Sequence, residues 1–272
     1  MHGETSLSSV KAVREEFESK LAAKGEAAKQ IGDELFGFAA ILDGDASLER
    51  SLTDPARLAE DKVALVTKIL DGKVDPLTLE IVQAVTAKRW SRPDHIANAI
   101  EDIAVDALLA DADARGVTAQ VSFQLADLHS QLLNLPVVRQ RLSDTHATPE
   151  QRVRFINTLL EGQPIDPITL DLAQHATREL RNRRYLSTIN WLIDVITEHR
   201  GRSMVTVTSA VPLKDEQIVR IKDAYRRKLN RNVYVNCVVD PRVLGGMRLQ
   251  VGSEVTDNTV AAQLQNLKRA VA

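Results

Sequence analysis

Residues 52–72 read LTDPARLAEDKVALVTKILDG and residues 142–162 read LSDTHATPEQRVRFINTLLEG, an ungapped correspondence at an offset of 90 positions. Turn residues and apolar phase recur together, as in Leu70/Leu160 and Gly72/Gly162. The match spreads outward from there. Upstream, Leu35, Phe38 and Leu42 pair with Leu125, Leu128 and Leu132 at the same offset. Downstream, Pro164 adds one residue, and VDPLTLEIVQAVT (74–86) then matches IDPITLDLAQHAT (165–177), with identities at Asp75/Asp166, Pro76/Pro167, Leu79/Leu170 and Gln83/Gln174. So long a unit exceeds the repeats that build solenoids, and it reads as a duplicated helical domain.

Within each copy the periodicity is helical. Leu7, Val10, Val13, Phe17 and Leu21 recur at spacings of three and four, which puts them on one face of a first helix. A second helix carries Ile31, Leu35, Phe38 and Leu42. Helices are expected at about 58–71 and 77–89, divided by the Gly72…Pro76 break, where Gly suits a C-cap and Pro a helix start. Pro93 opens another, which runs to Arg115-Gly116. Copy two fills roughly 117–201 and ends at Arg200-Gly201.

At Met204 the period changes to two. Val205 to Val211 reads as a strand closed by Pro212, followed by a helix with Ile218, Ile221, Tyr225 and Leu229 on one face. In the next strand Val233, Val235, Cys237 and Val239 point one way, while Tyr234, Asn236 and Asp240 point the other. The turn Pro241…Gly245-Gly246 leads to Met247, Leu249 and Val251, with positive φ expected at Gly245 or Gly246. Asp257 or Asn258 can cap a last helix bearing Val260, Leu264, Leu267 and Val271. The fold class is therefore mainly α: two tandem related helical bundles (1–116 and 117–203) and a small α+β module (204–272) of order β-α-β-β-α.

Composition narrows the function. The chain has 272 residues, enough for two or three small domains, and its 44% hydrophobic content supplies their cores. A formal net charge of −2 argues against a nucleic-acid protein held by phosphate contacts. One cysteine, Cys237, excludes an internal disulfide and a cysteine-based zinc site. No apolar run reaches membrane-spanning length and the opening residues lack a signal peptide's apolar core, so the chain is expected to be intracellular, with no direct membrane insertion.

Candidates for chemistry are poor. The six histidines, His2, His95, His129, His146, His175 and His199, are scattered and fit surface or satisfied positions. Gly245-Gly246 lacks the GxxxxGK pattern of a phosphate loop, and Cys237 reads as a core thiol. No catalytic residue, cofactor or metal is expected. The Arg178…Arg181…Arg183-Arg184 cluster fits an acidic partner or a charged helix end complementing its dipole. On a helix at about 186–199, Trp191 lies off the stripe of Leu186, Ile189, Leu192, Ile193 and Ile196. Such a tryptophan either anchors a partner or is sandwiched between bundles.

The C-terminal residues carry a resemblance. Ser209-Ala210-Val211-Pro212, Asp240-Pro241, Leu244-Gly245-Gly246, Val251-Gly252, Asp257 and Leu264/Leu267 resemble the C-terminal signature of the ATP synthase δ subunit, relative of the mitochondrial oligomycin-sensitivity-conferring protein. The helical part is similar to the family's N-terminal bundle. Family members usually carry one bundle; this chain resembles the duplicated actinobacterial form.

The resemblance implies a non-catalytic place in the peripheral stalk, or stator, of the proton-translocating F-type ATP synthase, at the cytoplasmic face of the cell membrane. It implies two partners: an α-subunit N-terminal helix of the catalytic head, held in a groove between helices, and the C-terminal end of the b-subunit stalk. Val10, Phe17 and Leu21 of copy one are candidates for lining such a groove, with copy two as the alternative, and Trp191 is a further contact candidate. The rival readings are a duplicated scaffold that binds amphipathic helices elsewhere and, further off, a nucleic-acid regulator using the arginine cluster.

Overall fold

The computed structural model describes residues 4–178, 180–181, 183–229, 233–243, 245–251, 254–257 and 259–260. They form two compact units, residues 1–193 and residues 194–272.

The first unit is helical. Copy one runs α1 (Glu4–Lys24), a single 3₁₀ turn (Gly25–Ala27), α2 (Ala28–Gly44), α3 (Ala46–Thr53), α4 (Ala59–Leu70), α5 (Pro76–Ala87) and α6 (Asp94–Arg115). Next come α7 (Thr118–Leu133), α8 (Pro136–Leu142), α9 (Pro149–Leu160), α10 (Pro167–Arg178) and α11 (Tyr185–Ser203), which continues past the end of the first unit. The expected helix-break-helix pairs are present, each within a residue or two of the boundaries read from sequence.

The same devices build both copies. Asp75 caps α5 by accepting from Leu77 N at 2.8 Å, and Asp166 Oδ1 accepts from Ile168 N at 2.9 Å. Glu34 Oε2 receives Asp75 N at 2.9 Å and the Thr78 hydroxyl at 2.6 Å. Its counterpart Gln124 Oε1 receives Asp166 N at 3.0 Å and the Thr169 hydroxyl at 2.7 Å. Gly72 and Gly162 both take left-handed φ, at 70° and 76°, where a side chain would be strained. Leu35/Leu125, Leu42/Leu132, Leu52/Leu142 and Val66/Ile156 are buried in both copies, and Val63/Val153 and Leu79/Leu170 are half-buried in both.

One helix belongs to both. α6 starts 90 positions after α1, and Arg115 closes it as Lys24 closes α1. It packs against α1, α2, α3 and α5, and also against α7 and α10, just as α1 packs against α2 and α5. A helix enclosed on several sides buries apolar residues on more than one face, and its polar residues there need partners. Accordingly Ile96, Ala97, Ile100, Ile103, Ala104, Val105, Leu108, Leu109 and Ala112 of α6 are all buried. Each large aliphatic side chain so enclosed contributes roughly 1.5–3 kcal/mol. α6 ends in a Schellman turn: Gly116 takes φ 71°, Val117 N reaches Ala112 O at 2.8 Å, and Gly116 N reaches Asp113 O at 3.1 Å.

The second unit holds a mixed sheet of β1 (Met204–Ser209), β2 (Tyr234–Val239), β3 (Met247–Val251) and β4 (Glu254–Asp257), in the order β2-β1-β3-β4. β1 runs parallel to β2, joined by α12 (Asp215–Leu229), and antiparallel to β3. Val205, Val207, Val233 and Leu249 form the core, with Leu213, Ile221, Tyr225, Leu229, Val235 and Val251 against it.

Two expectations change here. Cys237 and Val239, placed by alternation on the buried face, are exposed. Among the described residues β2 is an edge strand with one neighbour, and their apolar cover gathers around Val233 and Val235 rather than along the rest of the strand. β4 was not anticipated, because four residues without alternation give no strand signal. Of the expected last helix, Leu264, Leu267 and Val271 lie outside the described residues.

Candidate partner-binding surfaces

The polar chemistry of the helical unit converges on Glu101, in the middle of α6 and 1% exposed at its side chain. His175 Nε2 lies 2.6 Å from its Oε1, Arg181 Nη1 donates to Oε2 at 2.9 Å, and Arg183 Nη2 donates to both oxygens at 2.6 and 2.8 Å. Burial alone would push the Glu101 carboxyl up; the His175 hydrogen bond and the two guanidinium charges overcome this and hold it at about 2. His175 is pushed below its ordinary value by burial, against the opposing pull of Glu101. The ring also stacks on Phe36 of α2, with centroids 3.9 Å apart.

This cluster ties the copies together. Arg181 Nε reaches Asp43, at the end of α2, at 2.7 Å, and Lys29 of α2 pairs with Asp171 of α10 at 2.8 Å. Arg181 takes φ 36°, a strained value for a non-glycine that its ties to Asp43, Asn98 and Glu101 hold in place. The arginine cluster noted in the sequence is therefore largely spent inside the molecule. Arg181 and Arg183 bind carboxylates of copy one and α6, while Arg178 and Arg184 remain exposed.

Sequence reasoning missed Glu101, which reads as one more charge on a helix that also carries Asp102, Asp106, Asp111 and Asp113. It also missed Arg152, 6% exposed, whose Nε, Nη1 and Nη2 donate to the carbonyls of Thr177, Asp144 and Arg178 at 2.7, 3.0 and 3.0 Å. Arg152 pins the ends of copy two's turns, at the position where copy one has the buried Lys62. His95, also buried, has Nδ1 2.8 Å from the Ser6 hydroxyl.

The candidate contact residues fall in different places. Val10, Phe17 and Leu21 are 6%, 0% and 2% exposed and lie inside copy one, on the face by which α1 meets its neighbours. The outward side of α1 is polar, with Lys11, Glu15 and Glu18 exposed. Trp191 is half-buried, with the Arg183 guanidinium 5.4 Å from its ring centre. Pro241 opens the turn in which Asp240 Oδ1 accepts from Arg242 N at 3.0 Å. Gly245 and Gly246 both take positive φ, 74° and 78°, and a Cβ on Gly245 would meet Val260 Cγ2 at 3.3 Å.

Comparison with known proteins agrees with this architecture. The family model described as ATP synthase delta (OSCP) subunit matches twice, at residues 19–106 and 105–271. The seam between the two matches falls within α6. The chain is 52% identical over 271 residues to the ATP synthase subunit delta of Bifidobacterium longum subsp. infantis, covering 100% of this chain and 98% of that protein. It is 35% identical to the ATP synthase subunit delta of Beutenbergia cavernae, covering 98% of each. A chain of the Toxoplasma gondii mitochondrial ATP synthase hexamer solved by cryo-EM covers 61% of this chain and 94% of its own, at TM-score 0.31 and 17% identity, too slight a likeness to carry an argument. On the two matches of one family model and the full-length relatives, the chain belongs to the ATP synthase delta (OSCP) subunit family.

Proposed function

We propose that this protein is a non-catalytic stator subunit of the F-type ATP synthase, joining the catalytic head to the b-subunit stalk. The observation that carries the reading is the double family match, which accounts for both helical copies and the sheet module. The role is mechanical: the head must be held still while the rotor turns, and holding requires binding faces rather than reactive groups. Among the described residues no helix is long and apolar enough to cross a membrane. The protein is placed, in this reading, at the cytoplasmic face of the cell membrane through its partners.

Three functional regions follow the chain, residues 1–116, 117–203 and 204–272, with α6 shared between the first two. The helical copies take the head through an α-subunit N-terminal helix lying in a groove, a recurrent mode of peptide recognition. The sheet module takes the far end of the b-subunit stalk. Since Val10, Phe17 and Leu21 are core residues, a groove they line must open as the helix enters; Trp191, half-exposed, needs no such movement.

The test is coupling. Membranes lacking the protein are expected to lose proton-driven ATP synthesis, while released catalytic head still hydrolyses ATP. Adding the full chain should restore synthesis, and a form ending at residue 203 should not. Restoration by the truncated form would remove the sheet module from the role of stalk anchor. A duplicated scaffold acting elsewhere would instead leave synthesis intact and recover no α, β or b subunits from native membranes.

A further inference from the structure

Two grooves of similar size occur at equivalent places in the two copies. The first, about 590 Å³, lies between α3 with its following loop and the segment that leads into α6. The second, about 540 Å³, lies between α8 with its following loop and the segment that leads into α11. The offset of 90 or 91 positions relates their walls: Thr53 to Ser143, Pro55 to Thr145, and Arg92 to Arg183.

Each groove is lined by three arginines, and only the Arg92/Arg183 pair sits at matching positions. Copy one adds Arg50 and Arg57; copy two adds Arg139 and Arg184. The positive charge is thus rebuilt at the same place from different residues. It is only partly neutralised. Asp54 is the one carboxylate in the wall of the first groove, and the second has none among its described lining residues. Arg92 pairs with Asp94 at 3.0 Å and Arg183 with Glu101, but among the described residues Arg50, Arg57 and Arg184 form no ion pair. In the second groove the Nε atoms of both Arg139 and Arg183 are buried without an acceptor. A guanidinium N–H shut away from water calls for an oxygen.

We propose that these are two docking grooves for acidic peptide segments, one in each copy. The walls mix Ser, Thr and Arg with Pro, Leu and Trp, and so lack the predominantly apolar surface that suits a neutral small ligand. In copy one the arginines come from three separate segments, which serves carboxylates spaced along a chain. An anionic membrane surface would favour a broad basic face, whereas here two local basic troughs sit in a chain of net charge −2. The proposal goes beyond the stator reading and stands without it.

Each groove has its own reporter. Trp90 lines the first, and Trp191 lies beneath Arg183 of the second. Full-length Trp191→Phe and Trp90→Phe forms therefore report the first and the second groove separately. The probe is a hexaglutamate peptide at low ionic strength, with hexaglutamine as control. Two peptides should bind per chain, with a fluorescence change in each single-tryptophan form. Arg50→Gln with Arg57→Gln should weaken the Trp90 signal at least about tenfold and spare the other; Arg139→Gln with Arg184→Gln should do the converse. The corresponding Arg→Lys forms should retain most of the binding, which separates lost charge from lost fold. Salt at about 0.5 M should abolish both signals. Equal binding of hexaglutamine, or unchanged binding with all four arginines replaced, would overturn the proposal. So would binding to phosphatidylserine vesicles through these arginines without peptide binding.

Discussion

Lys24 and Arg115 occupy corresponding helix ends in the two copies and hold corresponding aspartates, yet they hold them differently. Lys24 approaches Asp75 with one ammonium, at 2.9 and 3.1 Å, and is 35% exposed. Arg115 grips Asp166 with two parallel bonds, at 2.8 and 2.9 Å, and reaches Asp111 as well. The same substitution of fork for point charge recurs at Lys62 and Arg152. At these two positions copy two is the more tightly wired, while copy one has its own fork in Arg14 on Asp106, at 2.6 and 2.7 Å. Copy two also shows more apolar surface outside: Phe123 and Val137 are 73% and 69% exposed. A domain built twice from one pattern has kept its caps and turns and changed what surrounds them.

The contrast can be tested most severely where the copies meet. Glu101→Ala leaves Arg181, Arg183 and His175 without their shared carboxylate, and should cost about 3–5 kcal/mol in denaturant unfolding of the helical unit. A loss below about 1 kcal/mol would mean that the Glu101 cluster does not hold the copies together.

Acid should loosen the same junction. The Glu101 carboxyl is held at about 2, below its ordinary 4.5, so its contribution is present above about pH 4.5 and lost as pH falls towards 2. His175 is likewise depressed, so its contribution to stability falls as pH drops below 6.5. Asp102, pushed up to about 7 by burial, acts in the opposite sense as pH rises from about 4 to 7. The decisive comparison is with Glu101→Gln, whose stability should lack the steep fall below pH 4.5; parallel curves would dismiss the assignment.

Closeness of packing separates the copies next. A Cβ on Gly32 would lie 2.9 Å from Leu108 Cδ2 and 3.0 Å from the Ala104 carbonyl, so Gly32→Ala should cost about 1–3 kcal/mol. The corresponding Ser122 is only half-buried, and Ser122→Ala should change stability by less than about 0.5 kcal/mol. Equal effects would contradict the tighter approach of α2 to α6. Smallest is the exchange of cations: Arg115→Lys should lose about 1 kcal/mol and Lys24→Arg about 0.5 kcal/mol or less in either direction, both read from unfolding midpoints.

Much of this is legible in the sequence alone. Apolar phase and turn residues reveal both copies, because a Gly at a C-cap and an Asp-Pro at a helix start leave marks that side-chain drift does not erase. The sheet's buried face is legible at Val233 and Leu249 and illegible at Cys237, since alternation tells which side a residue faces and not how far the cover extends. The double use of α6 is hidden because its two roles ask for the same thing, apolar residues on more than one side, and its interspersed carboxylates blur even that signal. The Glu101 cluster joins residues more than 70 positions apart, and no local pattern announces that pairing.

The shared helix has a consequence for how this protein can be cut and how it bears load. A conventional tandem has a peptide between its members, and that peptide can bend. Here the joint is the interior of a helix, so a break at 116/117 would not separate one module from the other but strip copy two of its first helix. Copy two expressed from residue 94 should fold, while the same copy begun at residue 117 should lack a wall. A twisting force on one bundle is passed to the other along a continuous backbone. The second copy then adds reach without adding a hinge.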